Sequence, residues 1–228
     1  MREIVLDTET TGLDPFDGHR IIEIGCVELV DHLPTGRTFQ VYLNPERLVS
    51  DSERVHGITD AFLANKPLFG QIAGELMEFL GDAPLVMHNA AFDLKFLNHE
   101  LQRILHPPIS LARAIDTIEI AKNRIPGARY SLDELCRRFD VDLSGRSKHG
   151  ALLDAQLTAQ VYLELVGGRQ TRLELAPIEI SAADIIAEIM VPRIRPEPLP
   201  CRIDAKDLAL HAAFVAAELG NQAIWTWA

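Results

Sequence analysis

Along the first 45 residues the apolar positions recur with the period of a strand. Glu3–Asp7 is a short apolar run, Ile21–Val30 alternates and is rich in Ile and Val, and Thr38–Leu43 follows the same rule. Asp31–Gly36, with Pro34 and Gly36, predicts a hairpin connection between the second and third of these strands. Antiparallel pairing of all three is the economical arrangement. The period then changes to that of helices. Within Leu68–Leu80 the apolar residues fall at 69, 72, 73, 76, 79 and 80, a helical stripe closed by Gly81. Pro84–His88 is a short apolar strand, after which Asn89 is placed to cap a helix through Phe92, Phe96 and Leu97. Ser131-Leu132-Asp133-Glu134 is a capping-box sequence, and a further helix runs from Ala151 to Val166, ending at Gly167-Gly168.

Residues 169–200 break this order. Five of the 13 prolines lie between Pro177 and Pro200, which predicts a linker, with room for one short helix over Ala182–Met190. That linker divides a domain, residues 1–168, from a terminal segment, residues 201–228. In the segment Asp204 can cap a helix reaching Leu219, stopped by Gly220. Both tryptophans, Trp225 and Trp227, stand in the last four residues, where they call for a covering partner.

Composition adds exclusions. No run of about 18 apolar residues exists, so no transmembrane helix is expected. Asp7 interrupts the N-terminal stretch where a signal peptide needs apolar residues, which predicts a cytoplasmic protein. Cys26, Cys136 and Cys201 are odd in number and far apart, against both a disulfide framework and a zinc site. The net charge of −11 argues against strong unaided binding to nucleic acid. Residues 1–168 hold 16 Lys and Arg against 25 Asp and Glu, a balance of −9 that two divalent cations would bring to −5.

Some of those acids are grouped in a way that matters chemically. Asp7 and Glu9 sit at i and i+2 on a strand, so both carboxylates project to one face, where mutual repulsion invites a cation. A solvated strand end is the plainer alternative. Thr10-Thr11-Gly12 follows as a tight turn that can bring backbone close to a ligand. Asp93 lies in the first turn of a helix that leaves a strand; it either complements the helix dipole or is held near the sheet's end by Phe92 and Phe96. His149 and Asp154 are five residues apart, about 140° around a regular helix. They can face one site only if His149 precedes the helix on a loop, beside Arg146 and Lys148. Four carboxylates and one histidine then converge from three element ends. Oxygen ligation selects hard cations such as Mg²⁺ or Mn²⁺, a pair of which can clamp a scissile phosphate. Imidazole titrates near neutrality and suits the part of general base.

Asp7-x-Glu9, Asp93 and His149-x₄-Asp154, in this order and with these flanks, resemble the three exonuclease motifs of the DEDD superfamily in its histidine-containing branch. More narrowly, Ile4–Leu13, Ile21–Gly25, Val55–Thr59, His88–Phe92, Ser131–Cys136 and His149–Gln156 are similar to proofreading exonucleases of bacterial replicative polymerases. The resemblance covers residues 1–168 and continues weakly beyond them. It implies an α/β fold, an RNase H-like mixed five-stranded sheet flanked by helices with an extended C-terminal tail. It also implies two Mg²⁺ or Mn²⁺ ions held by Asp7, Glu9, Asp93 and Asp154, His149 as base, and release of deoxynucleoside monophosphates from single-stranded or mismatched DNA 3′ ends. Thr11, Gly12, Leu13, Val55, His56, Asn89 and Phe92 match positions that hold the terminal nucleotide, with Leu13 and Phe92 packing on base or sugar. For His56 a turn-stabilising role is the alternative. Gln170, Leu173 and Leu175 resemble a short sliding-clamp motif, although Leu175 stands where an aromatic is common; a plain linker is the alternative. For residues 201–228 the resemblance implies docking to the polymerase catalytic (alpha) subunit, with Trp225 and Trp227 as anchors. Two other functions remain open on these residues: a free-standing exonuclease that trims RNA or oligonucleotides, and a mainly structural polymerase subunit.

Overall fold

The structure, a computed structural model, describes residues 1–49, 52–144, 149–167 and 204–219. The chain divides into two compact units, Met1–Leu173 and Glu174–Ala228.

The first unit is built on one five-stranded sheet. Its strands are β1 (Arg2–Thr10), β2 (Ile21–Val30), β3 (Leu33–Tyr42), β4 (Leu85–Met87) and β5 (Ala114–Asp116), in the spatial order β3-β2-β1-β4-β5. The first three pair antiparallel and β4 and β5 join in parallel, so the sheet is mixed, as the family resemblance implies. β1 runs three residues beyond the expected end at Asp7. The apolar pattern stops at Leu6, but the backbone ladder continues through Thr8↔Ile24 and Glu9↔Glu23. A bulge between Glu9 and Thr10 then ends the regular pairing and bends the strand where its chemistry sits.

The β2–β3 hairpin is tighter than predicted. Val30 already pairs with Leu33, leaving Asp31 and His32 as a two-residue turn with φ of 51° and 66°. Positive φ at both central residues matches the right-handed strand twist. Pro34 and Gly36, read as connection, fall inside β3, where the register shifts between Val27 and Leu29.

Helices cover both faces. α1 (Glu53–His56) and α2 (Asp60–Leu63) are single turns; α3 (Phe69–Leu80) and α4 (Ala90–Arg103) pack on one face, where Ile4, Leu6 and Ile24 meet Phe69, Leu76, Phe96 and Leu97. α5 (Thr117–Arg124), α6 (Leu132–Arg138) and α7 (Ala151–Val166) lie on the other, where Val5, Val27 and Val86 meet Ala155, Ala159 and Tyr162 of α7. Alternation along β1 therefore sends even positions to α3 and α4 and odd ones to α7. Cys26 and Cys136 are buried, as their reading as small apolar groups requires; Cys201 lies outside the described residues.

Asn89 needs correction. It occupies the cap position of α4 but takes a left-handed backbone (φ 74°), and its side chain makes no capping bond. The Asp116 carboxylate serves instead, accepting from Asn89 N at 3.3 Å and Ala90 N at 3.0 Å while also capping its own helix α5 through Ile118 N.

In the second unit, α8 (Ala205–Phe214) starts where predicted, with the Asp204 carboxylate accepting from Asp207 N at 2.8 Å, and its last turn, Val215–Leu219, widens to π geometry. Leu208, Leu210 and Phe214 are exposed. The linker, the helix expected over Ala182–Met190, the segment Gln170–Leu175 and both tryptophans lie outside the described residues. Among the described residues no helix is long and apolar enough to cross a membrane.

Candidate active site

The site forms at the C-terminal end of β1. Asp7 and Glu9 are odd-numbered, so their side chains leave the sheet on the face that α7 covers. α7 delivers Asp154 from its first turn, buried, with its amide donating to Gly150 O at 2.8 Å. His149 precedes the helix on the loop, as the spacing of five demands. Its Nδ1 lies 3.3 Å from Asp154 Oδ2, and its amide donates to Val55 O at 3.4 Å, which ties the α1 turn to the site. Ligand atoms of Glu9, His149 and Asp154 all lie within 4.8 Å of one another. Asp7, His88, Asp133, His149 and Asp154 line one cavity of about 260 Å³.

Asp93 arrives from the other face. Its Oδ1 accepts from Thr8 N at 3.0 Å and Thr8 Oγ1 at 2.7 Å, so the start of α4 is stitched to β1 between Asp7 and Glu9. Complementing a helix dipole is not all this buried group does. Burial pushes its carboxyl up to about 7, against the two Thr8 hydrogen bonds, and Asp116 adds a smaller push the same way. A carboxyl so reluctant to ionise alone is well suited to a cation, and carboxylate oxygens favour a hard one. The residues present fit such an ion.

Around this centre the predicted substrate contacts divide into two kinds. Leu13 (83% exposed) and Val55 (51% exposed) are exposed apolar side chains, while Phe92 is partly covered and packs on Phe96 at 5.0 Å. Asn89 is exposed at the start of α4. Thr11 is buried and holds its loop: its amide donates to Arg20 O, and its hydroxyl accepts from Arg20 N at 3.0 Å and meets His19 Nδ1 at 3.1 Å. Gly12 lies against the His19 ring, which a Cβ there would meet at 2.3 Å. His56 is buried and engaged by its own turn, its Nδ1 accepting from Ile58 N and its Nε2 meeting Ser52 Oγ, both at 3.0 Å. The turn-stabilising role is thus present. Arg146 and Lys148 lie outside the described residues.

Among the contributors that escaped the sequence reading are His19, Asp116 and Gly25. A lone glycine in an alternating strand marks a close backbone approach, and Gly25 faces Asp7 across the β1–β2 ladder. A Cβ there would lie 2.2 Å from Leu152 N and 2.3 Å from Ala151 C, within the first turn of α7. Gly25→Ala must therefore push α7, and with it Asp154, away from β1. The expected result is a strand and helix content unchanged by circular dichroism, with turnover reduced on the order of 100-fold. Turnover within twofold of wild type would show that α7 tolerates the displacement.

The RNase_T family, described as Exonuclease, matches residues 4–162. The chain is 45% identical to DNA polymerase III subunit epsilon of Rickettsia felis over 223 residues, 96% of this chain and 97% of that one. It is 48% identical to the Escherichia coli K12 subunit of the same name over 183 residues, 77% and 75% of the two chains. Among solved structures it is similar to the nuclease domain of 3′hExo, a DEDDh family member bound to rAMP (25% identity, TM-score 0.64, covering 72% and 91%). It is also similar to Exonuclease X in complex with 5′ overhanging duplex DNA (25% identity, TM-score 0.56, covering 72% and 90%).

Proposed function

The chain belongs to the exonuclease family, and from that membership we infer a 3′→5′ exonuclease of the proofreading kind, serving a bacterial replicative DNA polymerase in the cytoplasm. The observation that carries the chemistry is the convergence of Glu9, His149 and Asp154 within 4.8 Å, the last two lining one cavity with Asp7. The family generally uses divalent metal ions. Here Asp7, Glu9, Asp93 and Asp154 would hold two, Mg²⁺ or Mn²⁺, which when bound supply an activated water and charge stabilisation for the leaving oxygen.

The chain's own residues do the rest. His149 takes the proton of the attacking water as the new P–O bond forms and the P–O3′ bond breaks, releasing a mononucleotide and a fresh 3′ hydroxyl. Asp154, with Oδ2 3.3 Å from Nδ1, orients the imidazole. Leu13 and Phe92 would pack on the terminal base or sugar, with Thr11, Gly12, Val55, His56 and Asn89 at the other positions that hold the terminal nucleotide. A frayed or mismatched end enters more easily than a paired one because less stacking must be broken.

Residues 1–168 form the exonuclease domain and residues 169–200 a linker. Gln170, Leu173 and Leu175 engage a sliding clamp. Residues 201–228 dock on the polymerase catalytic subunit through Trp225 and Trp227, alongside the exposed Leu208, Leu210 and Phe214 of α8.

Digestion of 3′-labelled single-stranded DNA with Mn²⁺ is the test. Wild type should release mononucleotides and lose this activity in EDTA, and His149→Ala should turn over about 10²–10⁴-fold more slowly. Undiminished release by His149→Ala would remove it from the role of base. An RNA end degraded in preference to DNA would redirect the substrate.

A further inference from the structure

Glu23 is a buried carboxylate (1% exposed) on β2, directly across the ladder from the ligand Glu9. Both of its oxygens are committed to hydrogen bonds. Oε2 accepts from the amide of Ala151, the first residue of α7, at 3.1 Å, and Oε1 accepts from Gln40 Nε2 of β3 at 2.7 Å. Gln40 Nε2 also reaches Tyr42 Oη at 3.2 Å, giving the carboxylate a support from the outer strand.

The amide at the start of a helix has no acceptor within the helix. Most helices answer this with a side chain at the N-cap, but the cap of α7 is Gly150, which has none. Glu23 supplies the acceptor from 128 residues away, and its negative charge lies at the favourable end of the helix dipole. The capping duty thus passes to the sheet. Gly25, two residues along the same face, sets how closely α7 approaches.

We propose that Glu23 is a positioning residue for the exonuclease reaction: it seats the first turn of α7, so that His149 and Asp154 meet Glu9. This rests on the exonuclease reading above. What matters in this role is the reach of an acceptor, and the charge is secondary.

Two variants separate these properties. Glu23→Gln keeps length and an acceptor oxygen, and the exposed Gln40 amide can turn its own oxygen to the new NH₂ group. Glu23→Asp keeps the charge but withdraws it by one methylene. Glu23→Gln should digest single-stranded DNA within about twofold of wild type, whereas Glu23→Asp should lose about 10–100-fold in kcat with an unchanged KM. Gln40→Ala, at an exposed position, loosens the same carboxylate without threatening the fold and should give a smaller loss of the same kind.

A second readout needs no activity. In the metal-free protein the Ala151 amide should exchange with solvent faster in Glu23→Asp and at the wild-type rate in Glu23→Gln. Wild-type kcat in Glu23→Asp, or equal damage in both variants, overturns the proposal. An inactive wild type would count instead against the exonuclease reading, and amide exchange would still decide the role of Glu23.

Discussion

Asp93→Asn is expected to abolish nucleotide release while making the metal-free protein more stable. The asparagine oxygen can keep both hydrogen bonds from Thr8, so α4 stays attached to β1. What disappears is a negative charge at the site, and several kcal/mol of transition-state stabilisation at a metal centre corresponds to ~10³-fold in rate. The stability gain follows from the raised carboxyl, about 7 against an ordinary 3.8. Between those values the folded protein holds a proton that the unfolded chain has released, so metal-free wild type loses stability as pH climbs from about 4 to about 7. The variant has no such loss. Its melting temperature in EDTA should exceed that of wild type by several degrees at pH 8, and the gap should narrow at pH 5. Added Mn²⁺ should reverse the order, because wild type alone binds it tightly and is stabilised in proportion. A variant that melts below wild type at pH 8 in EDTA would show that the carboxylate is satisfied without a cation.

Glu100→Ala should give the largest loss of stability at a single polar position. Arg20 is buried and holds Glu100 in two parallel bonds, Nε to Oε1 at 2.6 Å and Nη2 to Oε2 at 2.9 Å, with weaker contacts to Pro45 O and Glu46. Removing one partner of a buried pair strands the other charge, at a cost of about 3–5 kcal/mol. For a chain of this size that is roughly 10 °C in melting temperature. Replacing both residues, as Arg20→Met with Glu100→Met, should recover most of the loss, since a buried pair is often no more stable than a well-packed apolar one. The pair also joins α4 to the loop that carries Thr11, Gly12 and Leu13, because Arg20 N donates to Thr11 Oγ1. Glu100→Ala should therefore raise KM for oligonucleotide more than it lowers kcat. Thermal melts of the three variants and steady-state digestion test both halves. A double variant as unstable as Glu100→Ala would mean that the site needs the charges themselves.

Periodic elements were legible in advance. α3 and α7 and the core of β2 have long apolar patterns, and each formed with nearly the predicted bounds. β5, three residues long, has no period to read, and the single turns α1 and α2 have no amphipathic face. The extension of β1 through Thr8, Glu9 and Thr10 escaped notice because these residues are polar yet buried, held by pairing to β2 and not by hydrophobicity.

The site divides along the same line. Local geometry alone put Asp7 and Glu9 on one face of a strand and required His149 to stand before the helix that bears Asp154; both are consequences of fixed backbone periods. Motif order along the chain was enough to identify the family. Tertiary structure decided which groups actually meet and what holds them there: Asp93 bound to Thr8, Asp116 capping α4 in place of Asn89, and Gly25 and Glu23 seating α7. These links join residues tens to more than a hundred positions apart. They depend on sheet order and on how closely a helix can approach a strand, and no local period in a sequence encodes either.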